Sequence, residues 1–179
     1  MRSFAAILAY TCLLLSLLLA PASGETFTSD QYDFTAEFPA QPSVGTPQGS
    51  ETDSKGNFIS TSVMIQVQVQ GIYTAMVTVD SYVVPLKIDS SSTLLAISRS
   101  FVAQLNATTT SSKPGKRDGR RARFFSYGTA DHSMMGKGIV VVVPAKKPRT
   151  YLVLTMHTPL ASEDEIAALD KFLDSFHVK

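Results

Sequence analysis

The sequence predicts an α+β fold: a mostly antiparallel sheet of six or seven strands packed by a mid-chain helix and a C-terminal helix. Three observations carry that expectation. Two long stretches alternate apolar and polar residues in the two-residue rhythm of a strand and fall into hairpin pairs. Two others repeat apolar residues at the three- and four-residue spacing of a helix. Strands and helices do not alternate regularly along the chain, so a βαβ repeat with a parallel sheet is excluded.

The chain opens on Met1-Arg2, then an apolar run from Phe4 to Leu19, then Ala20-Pro21-Ala22. A positive start, a short hydrophobic core and small residues before a cut site read as a cleavable export signal over residues 1–22. Cleavage is expected after Ala22 or Gly24. The apolar run is shorter than the roughly 20 residues a membrane helix needs, and no later run is longer than a strand. A single exported, soluble domain over residues 23–179 is therefore expected, periplasmic or extracellular.

The one cysteine, Cys12, lies inside that signal. The mature chain is left without a disulfide although export would permit one. An ordinary apolar core must hold it together, and some 155 residues suffice for that. The chain has 16 Lys and Arg against 15 Asp and Glu. Arg2 leaves with the signal and no acid does, so the mature domain is neutral. That argues against general polyanion binding, nucleic acid included.

Thr26 to Phe38 reads as two short strands around a turn at Ser29-Asp30, with Phe34, Ala36 and Phe38 on one face. Pro39, Pro42 and Pro47 then interrupt regular structure, and Gly45 to Gly56 reads as a polar loop around at most a weak strand. Phe58 to Gln70 is the clearest strand. Ile59, Thr61, Val63, Ile65, Val67 and Val69 fall on one side, and Ser60, Ser62, Met64, Gln66, Gln68 and Gln70 on the other. With Ile72 to Tyr82 it forms a hairpin whose second face is polar enough to meet water.

Leu94, Ile97, Phe101, Val102 and Leu105 place a helix at about 92–105, with a capping signal in Ser90 to Thr93. Strands are expected near Thr108 to Lys113 and Arg121 to Tyr127. Lys137 to Val143 and Arg149 to Met156 form a second hairpin across Ala145-Lys146-Lys147-Pro148. Ile139 to Val143 is apolar without a break, the pattern of a strand buried on both faces. Ser162-x-x-Glu165 is a capping box, with acids in the first turn where the helix dipole favours them. Ile166, Leu169, Phe172, Leu173 and Phe176 make the stripe of the helix that follows.

The order of these elements carries a resemblance. Phe38-Pro39, a hairpin, a mid-chain helix, Gly119-Arg120-Arg121-Ala122-Arg123, a strand with Tyr151-Leu152-Val153-Leu154, and the close Phe172-Leu173-Asp174-Ser175-Phe176 resemble the exported PsbP-like proteins. The likeness covers nearly all of residues 23–179. It implies an antiparallel sheet between helices and a non-enzymatic binding or assembly role. It implies no shared catalytic residues and no cofactor.

Searching for chemistry leaves little. Gly136-Lys137-Gly138 lacks the spacing of a phosphate loop, and no nucleophile elbow surrounds any serine. His132, His157 and His177 are not spaced as metal ligands. Asp131-His132-Ser133-Met134-Met135 sets an imidazole beside two thioethers, soft ligands that suit copper(I). Adjacent methionines on a strand face opposite ways, however, so the segment reads as a turn whose methionines fill core gaps. Asn106-Ala107-Thr108 matches a glycosylation sequon, meaningful only in a eukaryotic secretory route.

One segment stands out by charge. Lys113, Lys116, Arg117, Arg120, Arg121 and Arg123 fall within eleven residues, opposed by Asp118 alone. Two readings stand. The arginine forks could meet an acidic protein or envelope surface, or the segment is a solvated loop and strand edge whose charges block unwanted pairing. On the first reading, reversing Arg117 and Arg120 abolishes binding and leaves stability within about 0.5 kcal/mol. The function expected is a non-enzymatic binding or assembly module. The alternative is a small-ligand or hydrolytic protein whose site is scattered in sequence.

Overall fold

The computed structural model describes residues 24–52, 58–83, 91–144 and 148–179. The expected export signal and the Ala145–Lys147 turn lie outside them, as does the Ser90 capping position. The described elements run β1 (Glu25–Ser29), β2 (Phe34–Phe38), β3 (Ser43–Val44), β4 (Gln48–Thr52), β5 (Phe58–Val69) and β6 (Tyr73–Tyr82). Next come α1 (Ser91–Gln104), β7 (Thr108–Arg117), β8 (Arg120–Gly128), β9 (Met135–Val143) and β10 (Arg149–His157). The last are α2 (Glu163–Ser175) and β11 (His177–Val178).

The large sheet follows the seven-strand path β3-β5-β6-β10-β9-β8-β7, with β4 also pairing β5. Every described pairing is antiparallel. A smaller sheet, β1-β2-β11, lies apart from it. The expected α+β class, with two helices and a mostly antiparallel sheet, is what the chain forms. The additional strands are short ones that no periodicity could announce.

Side-chain alternation divides the sheet into two packed faces. On one, Val63, Ile65 and Val67 of β5 align with Val79, Val77 and Ala75 of β6. Tyr151 and Val153 of β10 and Ile139 and Val141 of β9 continue that row. Phe34, Ala36 and Phe38 of the small sheet close on it together with Leu169, Phe172 and Phe176. On the other face, Val140, Val142, Leu154, Phe125 and Tyr127 meet Leu94 and Val102 of α1. The unbroken apolar run in β9 is thus buried from both sides, Val140 and Val141 completely.

The α1 face is covered only in part. α1 lies over β7, β8 and β9. Beyond it Met64 and Gln68 of β5 are exposed and Ser62 and Gln66 are not fully buried, as the polar alternation requires. Asp80 sits on this half, and burial raises its pKa while a hydrogen bond with Ser62 opposes the shift. Ser98, on the buried side of α1, donates its hydroxyl to the Leu95 carbonyl at 2.9 Å, so that hydroxyl is not stranded in the apolar layer.

The small sheet is fastened by polar bonds as well as by its phenylalanines. Buried Arg149 on β10 reaches the Asp33 carboxylate and the Gln31 carbonyl. The Tyr151 hydroxyl donates to the Tyr32 carbonyl at 2.7 Å. The β1–β2 turn, with Asp33 in the left-handed region at φ 53, is therefore held against the last hairpin of the large sheet.

At the start of α2 the capping box forms as its sequence requires. The Glu165 amide donates to the Ser162 hydroxyl, and the Ser162 amide donates back to the Glu165 carboxylate. The helix is 13 residues long, with Phe176 at its C-cap. Phe176 is buried beyond the helix end rather than within its last turn.

Candidate functional site

The basic segment is neither a loop nor a short strand. β7 continues past Lys113 to Arg117, and β8 begins at Arg120. Two residues, Asp118 and Gly119, join them, both at positive φ (50° and 74°). That conformation suits the twist of a two-residue hairpin, and Asp-Gly is its strongest local signal. Pro114 is no obstacle on β7, an edge strand, because a missing N–H costs nothing on the side that faces solvent.

The register sorts the six cations. Lys113, Arg117 and Arg120 share the α2 side with Phe124; Lys116, Arg121 and Arg123 point to the α1 side. The segment is therefore not one patch. Half of it is turned inward. Arg117 donates to the carbonyls of Asp174 (2.9 Å) and Leu173 (3.3 Å), the last turn of α2. Its guanidinium carbon lies 5.7 Å from the Phe124 ring centre. Arg120 donates to the carbonyls of Val178 (3.1 Å) and Lys179 (2.8 Å). Arg123 is buried and donates to the Ser112 hydroxyl at 2.8 Å. Lys113, Lys116 and Arg121 are exposed.

Between the two arginines, the Asp118 carboxylate accepts the Val178 amide at 2.8 Å and lies 2.8 Å from the His177 ring. The hairpin tip thus clasps the end of α2 and all of β11. Desolvation works to raise the Asp118 pKa. The hydrogen bonds from His177 and Val178, with the charges of His177 and Arg117, outweigh it, and the net shift is downward from 3.8. A lowered pKa in the folded state stabilises above the unfolded value and is lost as pH falls through the folded one. Urea midpoints of the native chain and Asp118→Asn should therefore differ at neutral pH and converge as acid protonates the carboxylate, below its ordinary value of 3.8. A gap that persists unchanged into acid would show that the carboxylate charge contributes nothing.

Next to the clasp the sheet is left partly uncovered. α2 packs on β2, β10 and β6, and its flank stands away from the β7 edge. The floor between them tapers along β8 from Phe124 through Ser126 to Gly128. The gap is a cleft of about 430 Å³ walled by Met135, Thr155, Ile166 and Leu169 among others. It shares Ser126, Lys137 and Asp170 with a chamber of about 240 Å³ rimmed by Lys113, Arg117 and Asp174. The Lys137 ammonium grips both Asp170 oxygens, at 2.7 and 2.8 Å.

The Asp131–Met135 segment is a turn. Asp131 accepts from the Ser133 amide and hydroxyl. Hydrogen bonds from Thr129 and Ser133 hold its carboxyl down to about 2. His132 takes a positive φ of 56°. Met134 packs on the α1 side while Met135 lines the cleft on the other, so the two thioethers do not converge. Among the described residues, no cluster of three or more His, Cys, Asp or Glu could hold a metal. None of their helices is long and apolar enough to cross a membrane.

No protein-family model matches the sequence, and no curated protein matches it. Among solved structures, the chain is similar to cyanobacterial PsbP (CyanoP) from Synechocystis sp. PCC 6803, known from a solution structure. The TM-score is 0.51 at 13% identity, covering 90% of this chain and 95% of that one. A likeness at that identity speaks for architecture, and it agrees with the element order and the two-faced sheet described above: the chain has a PsbP-like α+β fold.

Proposed function

We propose that the chain is an exported, non-enzymatic binding or assembly protein that meets an acidic partner at the outer edge of the β7–β8 hairpin. One observation carries this reading. Lys113 and Lys116 stand exposed on the edge strand β7, and exposed Arg121 faces Lys116 across the ladder. Three cations at one hairpin edge present a positive surface that an acidic one, on a protein or on the envelope, would complement. The PsbP-like fold agrees, since the resemblance implies binding rather than catalysis, and the opening residues 1–22 supply the export signal.

The test is affinity capture from the native envelope fraction. Capture should weaken with salt, because exposed charges are screened over about 10 Å at 0.1 M. Lys113→Glu combined with Lys116→Glu should abolish it. The same variant should keep its melting midpoint or gain slightly. The second substitution sets a carboxylate directly across the ladder from Arg121, and an opposite-charge pair there is worth about 0.2–1 kcal/mol. A folded double variant that keeps every partner would refute the reading.

A further inference from the structure

We propose that the cleft beside α2 is a binding site for a small anionic amphiphile, a molecule with an apolar body and a carboxylate or similar head. The inference shares Lys113 with the acidic-partner surface above and otherwise stands on different residues. It rests on how the sheet and the helix fail to meet.

The cleft has the size and lining of a ligand site. Pockets that bury a small molecule run from roughly 300 to 1,000 Å³ and are mostly apolar, with a few placed polar groups. The larger chamber, at about 430 Å³, falls in that range. Its walls include the apolar side chains of Met135, Ile166 and Leu169, and Thr110, Thr155, His132 and His157 also line it. Its floor is low because Ser126 and Gly128 occupy β8 where Ala122 and Phe124 stand further back. At Gly128 a Cβ would press on the Met134 carbonyl at 3.3 Å and touch the Met135 side chain at 3.6 Å, so the glycine lets β8 and the start of β9 approach closely at that end of the cleft.

Lys113 and Arg117 lie at the β7 end of the cleft. From the apolar chamber the cleft passes the Lys137–Asp170 pair and opens into the smaller chamber under Lys113 and Arg117. Three cations (Lys113, Arg117 and Lys137) face two carboxylates (Asp170 and Asp174) around that chamber. Lys137 is bound to Asp170, and Arg117 to the backbone at the end of α2. Lys113 makes no ion pair with another described residue and lies on the cleft side of β7, opposite Phe124. A ligand that fills the apolar end and extends toward β7 brings its head to Lys113. That order, apolar first and one uncommitted cation last, selects an amphiphile with a negative head over a neutral or cationic one.

The experiment uses anilinonaphthalene sulfonate, an apolar aromatic body with an anionic head, titrated into the native protein and then displaced with dodecanoate. One probe should bind per chain and be displaced by dodecanoate. Dodecanol, which lacks the charge, should displace it about tenfold less well. Ser126→Phe, whose ring would fill the floor of both chambers, should weaken binding at least about tenfold. Lys113→Glu should do the same, with unchanged melting midpoints. Met64→Glu, on the opposite face of the sheet, should change nothing. Lys116→Glu, on the α1 side of the hairpin, should also change nothing, which separates this site from the acidic-partner surface. Probe binding that survives Ser126→Phe in a folded protein would overturn the site. Equal displacement by dodecanol and dodecanoate, with no effect of Lys113→Glu, would overturn the anionic head. Binding of several probes per chain, or none, would overturn both.

Discussion

Reversing Arg117 and Arg120 to Glu should destabilise the domain by about 2–4 kcal/mol, not leave it unchanged as an exposed pair would. Beyond the hairpin itself the two guanidiniums hold four backbone carbonyls, those of Leu173, Asp174, Val178 and Lys179, and Arg120 also reaches the Asp118 carbonyl. α2 has no basic residue in its own last turn. Its terminal carbonyls carry the negative end of the helix dipole and have no partner within the helix. Arg117 supplies that partner from a hairpin far away in sequence. A carboxylate at the same place would repel the carbonyls and leave them unbonded. Hydrogen bonds to charged groups contribute roughly 1.5–3 kcal/mol each when sheltered, and solvent at the rim of the clasp lowers the sum. A lower urea midpoint at unchanged slope would report this loss. Arg117→Lys with Arg120→Lys should recover part of it, since charge is kept but the fork is not. If the Glu variant melts with the native chain, the clasp is ornamental and the arginines return to the candidate surface.

The larger single effect is expected in the core beneath α2. Phe172→Ala and Phe176→Ala should each cost about 3–5 kcal/mol, a large part of the 5–15 kcal/mol that typically holds a domain. Both rings are fully buried. Phe172 lies 4.7 Å from Phe38, and Phe176 lies 5.7 Å from both Phe34 and Tyr151. Phe172 joins α2 to the small sheet, and Phe176 joins its end to both the small sheet and β10, so the vacated space cannot be refilled by one neighbour moving. The melting midpoint should fall by roughly 6–20 °C in a chain of this size. Unchanged midpoints in both variants would mean the stripe does not face the core.

Much of this was legible in the residues. The alternation in β5 and β6, the unbroken run in β9 and the capping box at Ser162 each state a local requirement, and the chain meets it locally. Other elements gave no such signal. β7 is exposed along nearly all its length, so nothing selects for alternation, and Pro114 reads as a break when it is tolerated at an edge. Asp118-Gly119 was the available sign that strand and strand join there. β11 has two residues and pairs with β2, whose sequence says nothing of it. The inward turn of Arg117, Arg120 and Arg123 was hidden for the same reason. A cation's partner can be a backbone carbonyl anywhere in the chain, and carbonyls have no letter in the sequence. The cleft, likewise, is a gap between elements and not a motif in either.

The pairing of β2 with β11, His177 against Thr35, also bears on when the domain can fold. Between those partners lie 141 of the 179 residues. Closing so long a loop is unfavourable, though each doubling of length adds only about 0.6 kcal/mol. The larger consequence is order. Local hairpins such as β5–β6 and β7–β8 can form as soon as they are made. The layer of Phe34, Ala36 and Phe38 is not fully covered until Phe172, Phe176 and Val178 arrive. A chain of this design, made N-terminus first, stays open to unfolding forces through most of its synthesis. It becomes resistant only when β11 has been made and paired.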